Sequence, residues 1–192
     1  MRTLEDVTKE VAKILGALGI EYAIVGGVAV AGWGNLRTTR DVDVVIDLQS
    51  DRVKEFVRAF KKRGFSIGEQ DVLDALKEKG HFTIFDNRSV YHVDAKGAYG
   101  GRELKTIETR KKTRIKGSDA YIASAEDTIA NKLVFGSEQD LRDAEGIFIR
   151  QAGRLDLKYL ERICKAMGVG KELAGLKRAA RGASGSRGRR RF

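Results

Sequence analysis

Residues Asp41 to Leu48, DVDVVIDL, alternate acidic and aliphatic side chains, and this period of two commits the segment to a β-strand with one apolar face. Side chains two positions apart leave the same face of a strand, so Asp41 and Asp43 stand side by side with Cα atoms roughly 6.5–7 Å apart. Upstream, Glu21 to Val25 is a short run of strand formers that stops at Gly26-Gly27, and the small residues Val28 to Trp33 turn back as a helix. The order is strand, glycine turn, helix, then the acid-bearing strand.

The flanking segments supply the layers. Thr3 with Asp6 forms a capping-box pattern that opens a first helix, with Leu4, Val7, Val11, Ile14, Leu15 and Leu18 as its apolar stripe and Gly19 as its end. Ser50 or Asp51 caps a second helix with Val53, Phe56, Val57 and Phe60 inward, closed by Gly64, and a third is predicted over Asp71 to Lys79. From His81 to Asp94, two alternating runs flank the turn-prone Asp86-Asn87-Arg88 and predict a β-hairpin. More strand is expected between Thr106 and Ile122, with a turn at Lys116 to Asp119. The period then becomes helical: Ser124 with Asp127, Ser137 with Asp140, and Asp156 each open a helix, the last carrying Leu157, Leu160, Ile163, Cys164 and Met167. The organisation expected is α/β (α+β): a mixed sheet flanked by helices over residues 1–122, a C-terminal helical segment packed on it over 123–180, and a disordered Gly/Ser/Arg tail over 181–192.

Three pieces together carry chemistry: Gly26-Gly27 at a strand end, the Asp41/Asp43 pair, and Asp94 on a later strand. The paired carboxylates reach the same divalent cations, and two hard cations about 3.5–4 Å apart steady the attacking and leaving oxygens of an in-line phosphoryl displacement. Asp94 would complete the set and accept the proton of an incoming hydroxyl. Asp86 is nearby, but it falls in the hairpin turn, where aspartate serves turn chemistry. Glycines without Cβ let backbone N–H groups approach phosphate oxygens, and Arg37, Thr39 and Arg40, just before the acids, add charge and hydrogen bonds. Each piece has a plainer reading: a tight turn, a solvated strand face, an ordinary strand-end acid. Their combination is far more specific than its parts.

The string VGGVAVAGWGNLRTTRDVDVVI resembles the signature of the DNA polymerase β type nucleotidyltransferase superfamily: an apolar residue, Gly26-Gly27, thirteen intervening residues, then Asp41-Val42-Asp43 between aliphatic neighbours, with a third acid downstream. The Arg37-x-Thr39-x-Asp41-x-Asp43 variant, and SAEDTIANKLVF followed by RDAEGI, resemble the small prokaryotic branch that includes AbiEii-type abortive-infection toxins and minimal nucleotidyltransferases. The likeness covers roughly Glu21 to Ile147. It implies the nucleotidyltransferase fold, two Mg2+ ions (or Mn2+) held by Asp41, Asp43 and Asp94, a phosphate turn at Gly26 and Gly27, and a triphosphate contact from Lys132. The reaction implied is transfer of a nucleoside monophosphate from an NTP such as ATP to a hydroxyl, with release of pyrophosphate.

Other residues read as structure first. His92, two before Asp94 and so on its face, is placed to touch substrate, but a packed or surface histidine is the commoner outcome. Trp33 and Tyr91 suit core packing better than base stacking, Cys164 lies on an apolar helix stripe, and Arg142-Asp143 reads equally as a surface pair or as an orienting pair. Lys132 sits beside the stripe of Ile129 and Leu133, able to lean toward a cleft.

Charge bears on the acceptor. The net charge of +10 is concentrated in residues 171–192 (eight Lys/Arg, one Glu) and 102–116 (seven Lys/Arg, two Glu), leaving −2 for everything else. Such local basic devices favour a polyanion, so RNA is the acceptor expected, and the resemblance to the toxin branch implies a tRNA 3′ end. A partner protein in a toxin–antitoxin pair comes next, and a cationic aminoglycoside is less suited. The contrasting class is a nucleotidyltransferase-fold protein that binds nucleic acid or acts as an antitoxin without turnover, though retention of all three carboxylates argues against it. With 42% apolar and 33% charged residues wholesale disorder is excluded. One cysteine excludes an internal disulfide, and no continuous apolar stretch suits a signal peptide or membrane span, so a soluble cytoplasmic protein is expected, of unspecified oligomeric state.

Overall fold

A computed structural model describes residues 1–35 and 37–187, with side chains described through residue 180. The described residues divide into two compact units, one of Met1–Gly32 and Arg37–Ala123, the other of Trp33–Leu36 and Ser124 onward.

The first unit is built on a seven-stranded mixed sheet. Its strands are β1 (Tyr22–Ile24), β2 (Asp41–Ile46), β3 (Phe65–Ser66), β4 (His81–Asp86), β5 (His92–Gly97), β6 (Lys111–Ile115) and β7 (Ser118–Ile122), in the order β3-β4-β5-β2-β1-β7-β6. Helix α1 (Leu4–Ala17) starts at Thr3, whose hydroxyl accepts from the Asp6 N–H while the Asp6 carboxylate accepts from the Thr3 N–H, the expected capping box. Lys116 also donates to Asp6 at 2.7 Å, and this hydrogen bond, with those from Thr3, holds the Asp6 carboxyl well below the usual carboxylate range. The α1 stripe of Val7, Val11, Ile14 and Leu15 is buried, and the helix packs along β7, β2 and β6. Alternation along β2 and β5 buries Val42, Val44, Val93 and Ala95 and leaves Asp41, Asp43, His92, Asp94 and Lys96 half-buried on the other face. A 3-10 turn (Ser50–Arg52) leads into α3 (Val53–Lys62), whose Phe56 and Phe60 join Phe65 and Phe82 in edge-on and tilted ring contacts. Helix α4 (Glu69–Glu78) lies against β4.

Two elements depart from the sequence reading. Strand β3, two residues long, is too short to show a period. Residues Gly101–Thr109 form helix α5, so the strand expected from Thr106 begins instead at Lys111. Tertiary packing decides this: Ile107 of α5 is buried with Ala23 and Val45, which outweighs the strand preference of Thr106, Ile107 and Thr109. The β6–β7 turn falls at Lys116 and Gly117, both left-handed, as a tight two-residue hairpin requires.

The second unit is helical. Ser124, Ser137 and Asp156 cap α6 (Ala125–Phe135), α7 (Glu138–Arg150) and α8 (Leu157–Ala166), each side chain accepting a backbone N–H as the sequence indicated. Ile129, Leu133, Ala144, Ile147, Leu160 and Leu173 form its buried interior together with Cys164, whose thiol burial pushes up to about 11. The last helix, α9 (Gly170–Arg187), runs past residue 180, where the sequence reading ended regular structure. The added turns, Arg181 to Arg187, hold two glycines and two serines and have no local propensity to explain them; residues 188–192 of the expected tail lie outside the described residues. No helix among the described residues is long and apolar enough to cross a membrane.

Candidate active site

Strand register, not sequence proximity, brings the acids together. β2 and β5 run parallel, pairing Asp41 with His92 and Asp43 with Asp94. β4 runs antiparallel to β5 and sets Thr83 beside Asp94 and Phe85 beside His92. With a period of two, all six side chains leave the same sheet face. Further along that face Val45 is covered by Ile107 of α5, so the acids occupy its half-buried end, toward the start of β2.

Around this cluster, hydroxyl groups fix the carboxylates. Thr39 Oγ1 donates to Asp41 Oδ1 at 2.6 Å, and Thr83 Oγ1 donates to Asp94 Oδ1 at 2.8 Å. The other oxygen of Asp94, Oδ2, lies 3.5 Å from His92 Nε2. One ligand atom from each of Asp41, His92 and Asp94 falls within 4.8 Å of the others. Two hard carboxylates and an imidazole nitrogen converging at this spacing are a donor set that fits a divalent cation.

Asp43 is packed against the glycine turn. A Cβ on Gly26 would come within 1.8 Å of Asp43 Oδ2, and Gly26 has φ +58°, so both space and backbone conformation require glycine. A Cβ on Gly27 would meet the Thr39 side chain at 2.7 Å. The Gly-Gly pair that opens α2 (Gly26–Gly32) therefore admits two side chains of the acid-bearing segment at once. Arg37 is half-buried and Arg40 exposed on the stretch that leads to β2.

Two further acid or basic candidates have settings of their own. Asp86 is on the opposite face of β4 from Thr83 and Phe85; it is buried, accepting from Arg2 at 2.7 Å and Ser89 at 2.6 Å. Lys132 is in the helical unit, 7% exposed, where its ammonium donates to Asp140 at 2.6 Å and lies 3.6 Å from Asp143. Burial pushes the Asp140 carboxyl up, but hydrogen bonds from Lys132 and Ser137 outweigh it and hold the group below its usual value.

Sequence reasoning passed over Thr83 and gave His92 only a secondary place. Only His92 had a signal, lying two residues from Asp94; Thr83 comes opposite Asp94 because the hairpin turns beyond Asp86, which ends β4 instead of sitting in the turn as expected.

The family of nucleotidyltransferases of unknown function (DUF6036) matches residues 2–174. No curated protein sequence matches the chain. Among solved structures, an antigenic nucleotidyltransferase-like protein from Paracoccidioides brasiliensis is similar with a TM-score of 0.59 and 20% identity, over 93% of this chain and 92% of that one. The antibiotic-resistance factor ANT(2″)-Ia, in its complex with adenylyl-2″-tobramycin, is similar with a TM-score of 0.56 and 14% identity, over 84% and 94% of the two chains. At these identities the likeness is one of fold.

Proposed function

Because the chain belongs to the nucleotidyltransferase family DUF6036, we propose that it transfers a nucleoside monophosphate from an NTP to an acceptor hydroxyl, releasing pyrophosphate, at the acids of β2 and β5. The observation that carries this reading is the pairing of Asp41-Asp43 with His92-Asp94 across parallel strands, with Gly26 packed on Asp43. Asp41, Asp43 and Asp94 would hold two divalent cations, Mg2+ or Mn2+, which when bound supply charge neutralisation for the phosphate oxygens.

The chain's own residues do the rest. Thr39 and Thr83 each fix one carboxylate oxygen, so the acids are oriented before substrate arrives. Asp94 accepts the proton of the incoming hydroxyl. Backbone N–H groups at Gly26 and Gly27, with Arg37, Thr39 and Arg40, line the triphosphate. Lys132, to which the family resemblance would give a further triphosphate contact, has its ammonium on Asp140 and near Asp143.

For the acceptor we favour an RNA hydroxyl, first a tRNA 3′ end. Support comes from the net charge of +10 and from Lys111, Lys112 and Arg114, exposed along β6 at the edge of the sheet. The Arg37-x-Thr39-x-Asp41-x-Asp43 pattern supports a place beside the AbiEii-type and minimal nucleotidyltransferases, where a partner protein is the next acceptor. A cationic acceptor such as tobramycin would meet repulsion from this charge.

The test is incorporation of each labelled NTP, with Mg2+ or Mn2+, into total RNA, a candidate partner protein or tobramycin, by wild type and by Asp43→Ala. Label in RNA with wild type alone is expected, with a loss of about 10³-fold or more in the variant. Equally low labelling by both proteins would defeat the catalytic reading. RNA binding indifferent to metal, NTP and Asp41→Ala would then favour the non-catalytic alternative.

A further inference from the structure

Resting on the reading that a divalent cation works at these acids, we propose that His92 is itself a metal ligand through Nε2, beside Asp41 and Asp94. We further propose that this nitrogen tilts the site toward a first-row transition-metal cation, Mn2+ above Mg2+.

Distance separates a ligand pair from an ion pair. A charge-assisted hydrogen bond between imidazolium and carboxylate closes to about 2.7–2.9 Å, whereas His92 Nε2 and Asp94 Oδ2 stand 3.5 Å apart. Two donors each about 2.1 Å from one ion are separated by about 3.0–3.4 Å between right-angle and tetrahedral arrangements. Asp41 joins them because its register partner on β5 is His92, and the three donor atoms lie within 4.8 Å.

The surroundings hold this arrangement. Thr39 and Thr83 occupy Oδ1 of Asp41 and of Asp94. The Phe85 ring lies against the imidazole, centroids 6.3 Å apart and planes tilted by 39°. Phe85 is 58% exposed, an unfavourable place for a large apolar ring, and support of the His92 ring gives it a purpose there. Mg2+ takes oxygen donors and parts with water reluctantly, whereas imidazole suits transition metals.

The experiment is electron spin echo spectroscopy of the full chain loaded with Mn2+, together with calorimetric Kd values for Mn2+ and Mg2+. Wild type is expected to show the nitrogen modulation of a directly bound imidazole. His92→Gln should lose that modulation and bind Mn2+ at least about tenfold more weakly, while its Mg2+ affinity moves by less than about threefold. Absence of nitrogen modulation in wild type, or equal losses for both ions in the variant, would overturn the proposal. The wild-type spectrum needs no variant, so a His92→Gln protein that fails to fold leaves the test intact. Nitrogen coordination in a protein that labels no acceptor would sink the catalytic reading alone; Asp43-dependent labelling without nitrogen coordination would sink this one alone.

Discussion

Two clusters of charged side chains, one on the sheet and one in the helical unit, are built in opposite ways. In the helices Lys132 meets Asp140 and Asp143 in a closed setting, with Asp143 also accepting from Gln139 at 2.9 Å. On the sheet, Asp41 and Asp94 accept from threonine hydroxyls, which orient a carboxylate without neutralising it. A buried ion must be paired to be tolerated; a half-buried pair of like charges, each held by a neutral donor, stores a demand for a cation. The two clusters thus differ in the sign and burial of the groups that face each carboxylate.

Gly26→Ala attacks the sheet cluster most directly. Its methyl would fall 1.8 Å from Asp43 Oδ2, so the carboxylate must move. Nucleotidyl transfer per folded molecule is expected to drop by about 10²-fold or more, since a displacement near 1 Å costs that much. The left-handed backbone adds a stability loss of about 1–2 kcal/mol, read by urea denaturation. Full activity in this variant would mean the Asp43 position is not constrained by the turn.

In the helical cluster, Lys132→Met is expected to cost about 3 kcal/mol in urea denaturation, because it removes a buried ammonium from the buried Asp143 and the half-buried Asp140. The triphosphate role implied by family resemblance would show differently, as a raised KM for NTP in a variant of unchanged stability.

The smallest effect is a pH dependence. Asp140 titrates below its usual value in the folded chain, so its pairing contributes stability fully above the ordinary aspartate range near pH 3.9 and loses it as pH falls through the lower folded value. The stability gap between wild type and Asp140→Asn should therefore be constant from pH 7 to about 5 and close on further acidification. A gap that widened in acid would put the source elsewhere.

The local parts of this molecule were legible in its sequence because their signals are short-range. Capping pairs at Thr3, Ser124 and Ser137, and the alternation around Asp41 and around Asp94, each act within a few residues. One local reading failed, since neither Ser50 nor Asp51 caps α3, whose N-cap is Arg52 at the end of the 3-10 turn; the other departures depend on distant partners. Helix α5 is decided by Ile107 meeting Ala23 and Val45. The weight of His92 depends on its register with Asp41, fifty-one positions earlier in the chain. Thr83 gains a role only when β4 and β5 pair.

The chain leaves the sheet unit at Trp33, between the glycine turn and the acids, and returns at Arg37. That excursion is tied down within the helical unit: Asn35 donates to the Asp143 carbonyl and accepts from Arg150, and the Trp33 carbonyl accepts from Gln151. A stop codon after Ala123 would therefore remove more than an appendage. It would remove the hydrogen-bond partners of Trp33 and Asn35, so shuffling the C-terminal helices against those of a relative must carry that segment along.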